Sequence, residues 1–257
     1  MTSPPPLVLI HGLYMNNLSW EPWLARARAA GFDARAIEWP HHAGSPAELR
    51  DNPPKGLAAV RFRDALAPVK ANLEEVGDNP VLIGHSIGGL MVLSLLGLGL
   101  GRAGVAITPA PPKGTLSPSP HFLAANLPHS LGFAANRILR MTPRRFHYAF
   151  ANTDSRDVSD RAFDQWCVPE SRRIPLSTLG PEGAVDRANT TQPLLLIGAS
   201  RDHLIPAGMV RRIARGYVRA GTPAEYREVP GRSHLVCNQE GWETLADDVL
   251  EWSATHG

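Results

Sequence analysis

The pentapeptide Gly84-His85-Ser86-Ile87-Gly88 sets one hydroxyl between two glycines, after the short apolar run that begins at Val81 and ahead of the apolar stretch Leu90 to Leu100. Strand, tight turn and helix in that order would hold Ser86 in a strained backbone conformation at the end of a sheet, where flanking side chains would collide with neighbouring backbone. Gly84 and Gly88 remove those side chains. The amide of Ile87, at the start of the helix, would then point at any oxyanion formed beside the hydroxyl. A serine at this place could instead do no more than cap the helix, so the chemical reading requires partners. A hydroxyl is a weak nucleophile at neutral pH; it needs a base, and the base needs a group that orients it. Asp202 follows the run Pro193 to Gly198, and His234 follows the run Glu225 to Val229 through Pro230-Gly231-Arg232-Ser233. Attack on a carbonyl with proton transfer through imidazole is chemistry this set could perform.

The elements that must position these groups are legible as alternating runs. Leu7 to Ile10, Ala34 to Trp39, Val81 to Gly84, Val105 to Ile107, Pro193 to Gly198 and Glu225 to Val229 read as strands. Leu18 to Ala30, Leu57 to Val76 with Pro68 as a candidate kink, the stretch from Leu90, Ala207 to Ala220 and Trp242 to Trp252 read as helices. The polar stretch HHAGSPAELRDNPPKG, residues 41–56, reads as a loop from its Pro, Gly and Asn content. This alternation predicts an α/β fold with a mainly parallel sheet of about six strands and helices on both faces. Ligands in such sheets bind at the carboxyl edge, where Ser86, Asp202 and His234 converge. Between residues 113 and 189 prolines, arginines and dispersed aromatics such as Phe122, Phe146, Tyr148, Phe150, Phe163 and Trp166 replace the aliphatic runs, and no strand is convincing. That segment reads as a helical excursion from one strand end, with residues 1–112 and 190–257 forming the core domain.

With the elbow in its strand-to-helix context and the chain order Ser86, Asp202, His234, the sequence resembles the α/β-hydrolase superfamily, from about Leu7 to the final helix. The resemblance implies an α/β-hydrolase fold with residues 113–189 as a cap. It implies Ser86 as nucleophile, His234 as general base and then acid, and Asp202 as the group orienting His234. It also makes His11-Gly12-Leu13 the loop whose amide at Leu13 would be the second oxyanion donor beside Ile87, with Tyr14 and Met15 next to it as substrate contacts. Some members carry the acid one strand earlier; here that exit is Thr108-Pro109-Ala110, without a carboxylate, which favours Asp202. The chain departs from the family in starting almost at the strand before this loop, which predicts six strands rather than eight.

Other candidates take structural readings. His85 is expected to pack or hydrogen-bond below the elbow, and His203 either lines the entrance or lies at the surface. His41, His42, His121, His129 and His147 have no metal-ligand spacing and read as loop or cap residues. Asp186 competes weakly as the acid; Asp154, Asp157 and Asp160 have a calcium-loop rhythm but lack its glycine and closing glutamate, and read as helix surface or capping. Trp20 and Trp23, three apart, read as core.

The 257 residues, 43% hydrophobic, suffice for one large core domain. A formal charge of +2 without a basic stripe excludes nucleic acid as the expected partner, and Arg144-Arg145 and Arg211-Arg212 read as solvated surface. Cys167 and Cys237 are too few for a disulfide framework or a zinc site. They read as reduced thiols in a cytoplasmic protein, with no secretory signal and no transmembrane segment expected. Taken with the resemblance, the expected activity is a cap-bearing serine hydrolase cleaving a carboxylic ester with a hydrophobic acyl or aryl part, through an acyl-enzyme, with a small molecule as its partner and no metal or organic cofactor. The same triad could serve a thioesterase, lactonase, acyltransferase, carbon–carbon hydrolase or non-hydrolytic cyclase, and a retained pocket with little turnover would make a ligand-binding protein instead.

Overall fold

The computed structural model describes residues 4–76, 79–115, 120–130 and 135–257, the side chains of 75–76 and 127–130 excepted. In chain order the elements are β1 (Leu7–Ile10), α1 (Glu21–Ala29), β2 (Ala34–Ile37), α2 (Pro46–Asp51), α3 (Phe62–Val76), β3 (Val81–His85), α4 (Ile87–Gly97), β4 (Ala103–Ile107), α5 (Pro120–Ser130), β5 (Ile138–Leu139), α6 (Pro143–Ala149), α7 (Arg156–Trp166), β6 (Glu170–Ser171), α8 (Arg173–Thr178), β7 (Leu194–Ala199), α9 (Ala207–Arg219), β8 (Ala224–Val229) and α10 (Trp242–His256). Six strands form one sheet in the order β2-β1-β3-β4-β7-β8, every pair parallel.

The sheet is buried on both faces because its strands are apolar at successive positions and successive side chains point to opposite sides. Val8, Ile10, Leu82, Ala106, Leu194 and Leu196 pack into one core, with Val69 of α3, Leu90 of α4 and Ile213 of α9. Leu7, Leu9, Val81, Ile83, Val105, Leu195 and Ile197 pack into the other, against Trp23 of α1 and Val249 and Trp252 of α10. Trp20 and Trp23 meet edge to face with ring centroids 5.2 Å apart, both buried as core. The edge strand β8 exposes Glu225, Arg227 and Glu228, and charges there discourage edge-to-edge pairing. After β1 the chain crosses to β2 on one side, and it later returns to β3 on the other. The carboxyl ends of β1 and β3 therefore diverge at a switch point, the usual ligand crevice of such sheets.

Three expectations are corrected. The stretch 41–56 is not all loop: Ser45 accepts from the Glu48 amide at 3.3 Å, Glu48 Oε2 accepts from the Ser45 amide at 3.1 Å, and Pro46 occupies the first turn, so a capping box starts α2. The expected helix Leu57 to Val76 divides into a 3-10 turn, Leu57–Ala59, and α3, which runs through Pro68 without ending. The excursion between β4 and β7 does contain strands: β5 and β6 pair antiparallel, Leu139 opposite Glu170. Two residues each are too few to show a period, and a glutamate among them hides the pattern further. Among the described residues no helix is long and apolar enough to cross a membrane.

Candidate active site

Ser86 ends β3 and begins α4 with φ of 56° and ψ of −117°, a conformation that costs a non-glycine residue on the order of 1–3 kcal/mol. The surroundings enforce it. The Ser86 amide donates to the Ile107 carbonyl at 3.0 Å, and the Ser86 carbonyl accepts from Leu90 and Ala110 at 3.1 and 2.9 Å. A β-carbon on Gly84 would overlap the Gly88 carbonyl, and one on Gly88 would overlap the carbonyls of Ile10 and His11. The two glycines are thus what lets β3, β1 and α4 close around the turn. Ser86 makes no capping bond with its side chain, so its hydroxyl is not engaged in capping the start of the helix.

The histidine and the acid meet across the carboxyl ends of β7 and β8. His234 Nδ1 lies 2.7 Å from Asp202 Oδ2, both side chains buried. Asp202 Oδ1 accepts from the amides of Leu204 and Ile205 at 2.7 and 2.8 Å, which fixes the carboxylate's orientation. With a carboxylate on Nδ1, that nitrogen carries a proton and Nε2 is the acceptor. His234 Nε2 is buried and has no hydrogen-bond partner among the described residues. An unpaired buried acceptor is costly, and it is the atom a general base presents to a hydroxyl.

The ring is held from two sides: Phe150 meets it edge on at 5.2 Å between centroids, and His85 lies at 4.7 Å. His85 Nε2 donates to the His234 carbonyl at 2.9 Å. Burial, helped by the neighbouring His234, holds the pKa of His85 well below the ordinary histidine value, so it stays neutral and serves as a strut below the elbow, as expected.

The loop after β1 brings Gly12 under the elbow; a β-carbon there would sit 3.0 Å from Ser86 Cβ. Among the described residues the amides of Leu13 and Ile87 have no acceptor, and both residues line the cavity that Ser86 faces. The next residue, Tyr14, has φ of 62°, and its amide donates to Glu170 Oε2 at 3.4 Å. Glu170 is fully buried in β6. The same oxygen accepts from His42 Nε2 at 3.2 Å, while His42 Nδ1 faces the Pro40 carbonyl at 3.0 Å. Two acceptors on the two ring nitrogens call for an imidazolium. Burial works against that charge, yet Glu170 and the Pro40 carbonyl outweigh it and raise the pKa of His42. His42 is therefore more than a loop residue. The pair was not legible in the sequence, because its members lie 128 positions apart.

The cavity has a volume of about 320 Å³, near the lower end of small-molecule sites at roughly 300–1,000 Å³. Its wall is mostly apolar: Leu13, Tyr14 and Ile87 from the core, Phe122, Phe150 and Leu176 from the excursion, Leu204 and Ile205 beyond β7. His234 and Asp202 lie behind this wall rather than on it. Tyr14 lines the cavity. Met15 does not; it is buried in the core, because the backbone turn at Tyr14 sends the following side chain inward. His203 stacks on His121 at 4.4 Å and bonds the Tyr148 carbonyl, away from the cavity wall. Asp160 pairs with Arg156 on α7, and Asp154 bonds Gln239. His129's side chain lies outside the described residues. No cluster of three or more metal-ligating side chains occurs among the described residues. Cys167 and Cys237 are free and buried, and burial pushes the Cys167 thiol up to about 12.

Comparison with known proteins bears on family and fold. A model of the alpha/beta hydrolase family matches residues 7–248. The structure resembles a monoacylglycerol lipase of Paleococcus ferrophilus, with TM-score 0.73 and 22% identity over 99% of this chain and 97% of that one. It also resembles tomato methylketone synthase I, with TM-score 0.73 and 14% identity over the whole of both chains. A third likeness is to a pyrethroid hydrolase from Sphingobium faniae, with TM-score 0.65 and 17% identity over 97% of each. At these identities the likeness is one of fold. No curated protein matches the sequence.

Proposed function

The chain belongs to the alpha/beta hydrolase family, and from that premise we propose that it is a serine hydrolase acting on carboxylic esters with a small hydrophobic acyl or aryl part. Two observations support this reading: Ser86 is strained and makes no capping bond, and His234 has its Nδ1 held by Asp202 while its Nε2 is buried without a partner among the described residues.

Ser86 Oγ attacks the ester carbonyl as its proton passes to His234 Nε2. Asp202 keeps the ring oriented and favours the imidazolium that forms. The carbonyl oxygen becomes an oxyanion, held by the amides of Leu13 and Ile87; one such donor is worth about 3 kcal/mol in the transition state. His234 returns the proton to the leaving alcohol, and the acyl-enzyme is released by water activated through the same nitrogen. The route needs no metal or organic cofactor. Residues 113–189 act as a cap: they supply Phe122, Phe150 and Leu176 to the wall, which favours an apolar substrate part and limits its size.

A panel of p-nitrophenyl esters from acetate to dodecanoate, with the benzoate, tests this. The proposal predicts kcat/KM highest for short and medium acyl groups, falling for chains that outgrow the cavity. Ser86→Ala should lose on the order of 10⁴-fold or more in kcat. Equal turnover by wild type and Ser86→Ala, or none by wild type on any ester, contradicts it.

A further inference from the structure

Between residues 79 and 153 the chain has no Asp or Glu, yet Arg137, Arg140, Arg144 and Arg145 fall close together within that stretch. All four line a second cavity, of about 800 Å³, walled by β5, α6 and part of α5. Arg144 and Arg145 are exposed, as the sequence suggests, and they also line this concavity. No carboxylate lines this cavity, and none of the four arginines forms an ion pair among the described residues. Arg26, Arg156 and Arg211 elsewhere each have a carboxylate within 3 Å, at 2.5, 2.9 and 2.5 Å. Glu170, whose charge acts on Tyr14, is buried and already engaged by His42.

The two cavities are neighbours. Tyr14 lines both, and consecutive residues divide between them: Ala125 and Ala149 face the arginine side, Asn126 and Phe150 the serine side. Burial above all, with the charges of Glu170 and Cys167, raises the pKa of the Tyr14 hydroxyl, and Arg145 is near enough to oppose them. The platform is fixed: β5 pairs with β6, and the Arg172 amide donates to the Arg137 carbonyl at 3.0 Å.

We propose that this cavity binds an anionic group of the substrate, a carboxylate or a phosphate, carried away from the bond that Ser86 attacks. Guanidinium forks match the oxygens of both groups, and four cations without a counter-ion attract either. The position of the scissile bond rests on the hydrolase reading above; the anion site itself does not.

Calorimetric titration with octyl phosphate, nonanoate and the neutral nonanamide tests the site without turnover. At low ionic strength the anions should bind about tenfold more tightly than the amide. That advantage should shrink as salt is added, disappear in Arg137→Gln/Arg144→Gln, and largely survive in Arg137→Lys/Arg144→Lys, which keeps the charge. Tighter binding of octyl phosphate assigns the site to a phosphoryl group, and tighter binding of nonanoate to a carboxylate. Equal affinities for all three ligands, or an anion advantage undiminished by the glutamine pair, would overturn the proposal. Either result leaves the role of Ser86 to be judged by ester turnover alone.

Discussion

The Tyr14 amide hangs on Glu170, and Glu170 on His42, so the turn that presents the Leu13 amide is fastened by a buried ion pair at a single oxygen. Because the folded protein raises the pKa of His42 above the ordinary value of about 6.5, the pair's contribution to stability is complete below that pH. It fades as pH rises through the raised value. His42→Gln should therefore destabilise the protein most at pH 5.5, by about 3 kcal/mol, with the difference narrowing toward pH 9, as read by urea denaturation of both proteins. A difference that stays constant or widens with pH would show that the pair is not what fastens the turn. At this scale Ser86, Asp202 and His234 are legible as candidates because each is announced by its own neighbours: two glycines, the end of an apolar run, or the end of a strand closed by a Pro-Gly turn. Glu170, His42 and Phe150 are not, since their significance lies only in contacts with residues far away in the chain.

The elbow depends on three elements meeting without side chains between them. β3 passes under α4 at Gly84, and α4 meets β1 at Gly88. Gly84→Ala should force the Gly88 carbonyl aside, costing about 1–3 kcal/mol of stability, and should lower kcat more than it raises KM, because it moves the Ser86 hydroxyl and the Ile87 amide together. A variant with wild-type stability and kcat would contradict this packing. Elements with a strong local pattern are legible in sequence, and the six strands of the large sheet fall where the sequence predicts strands, although the charged edge strand β8 is no apolar run. The exceptions are instructive. α2 is announced by Ser45-Pro46-Ala47-Glu48, a capping signature embedded in a stretch whose prolines and glycine suggest only loop. β5 and β6 have no local signature, because a two-residue strand exists only through its partner.

Across the whole molecule, a parallel sheet carries Ser86, Asp202 and His234 beyond the carboxyl ends of its strands, and the excursion between β4 and β7 walls the cavity beside Ser86. The link between them is direct: Phe150 packs on His234, and its carbonyl accepts from the Leu235 amide at 2.9 Å. The parts that sheet order fixes could be foreseen, while the cavities could not, since both are bounded by an excursion whose path no periodicity describes. The central claim is that Ser86 is a nucleophile activated by His234. Treatment of the folded protein with a fluorophosphonate, followed by peptide mass mapping, tests it most directly. The account predicts one stoichiometric adduct on Ser86, with labelling slowed by orders of magnitude in His234→Ala. Folded protein that remains unlabelled, or an adduct on another residue, would contradict it.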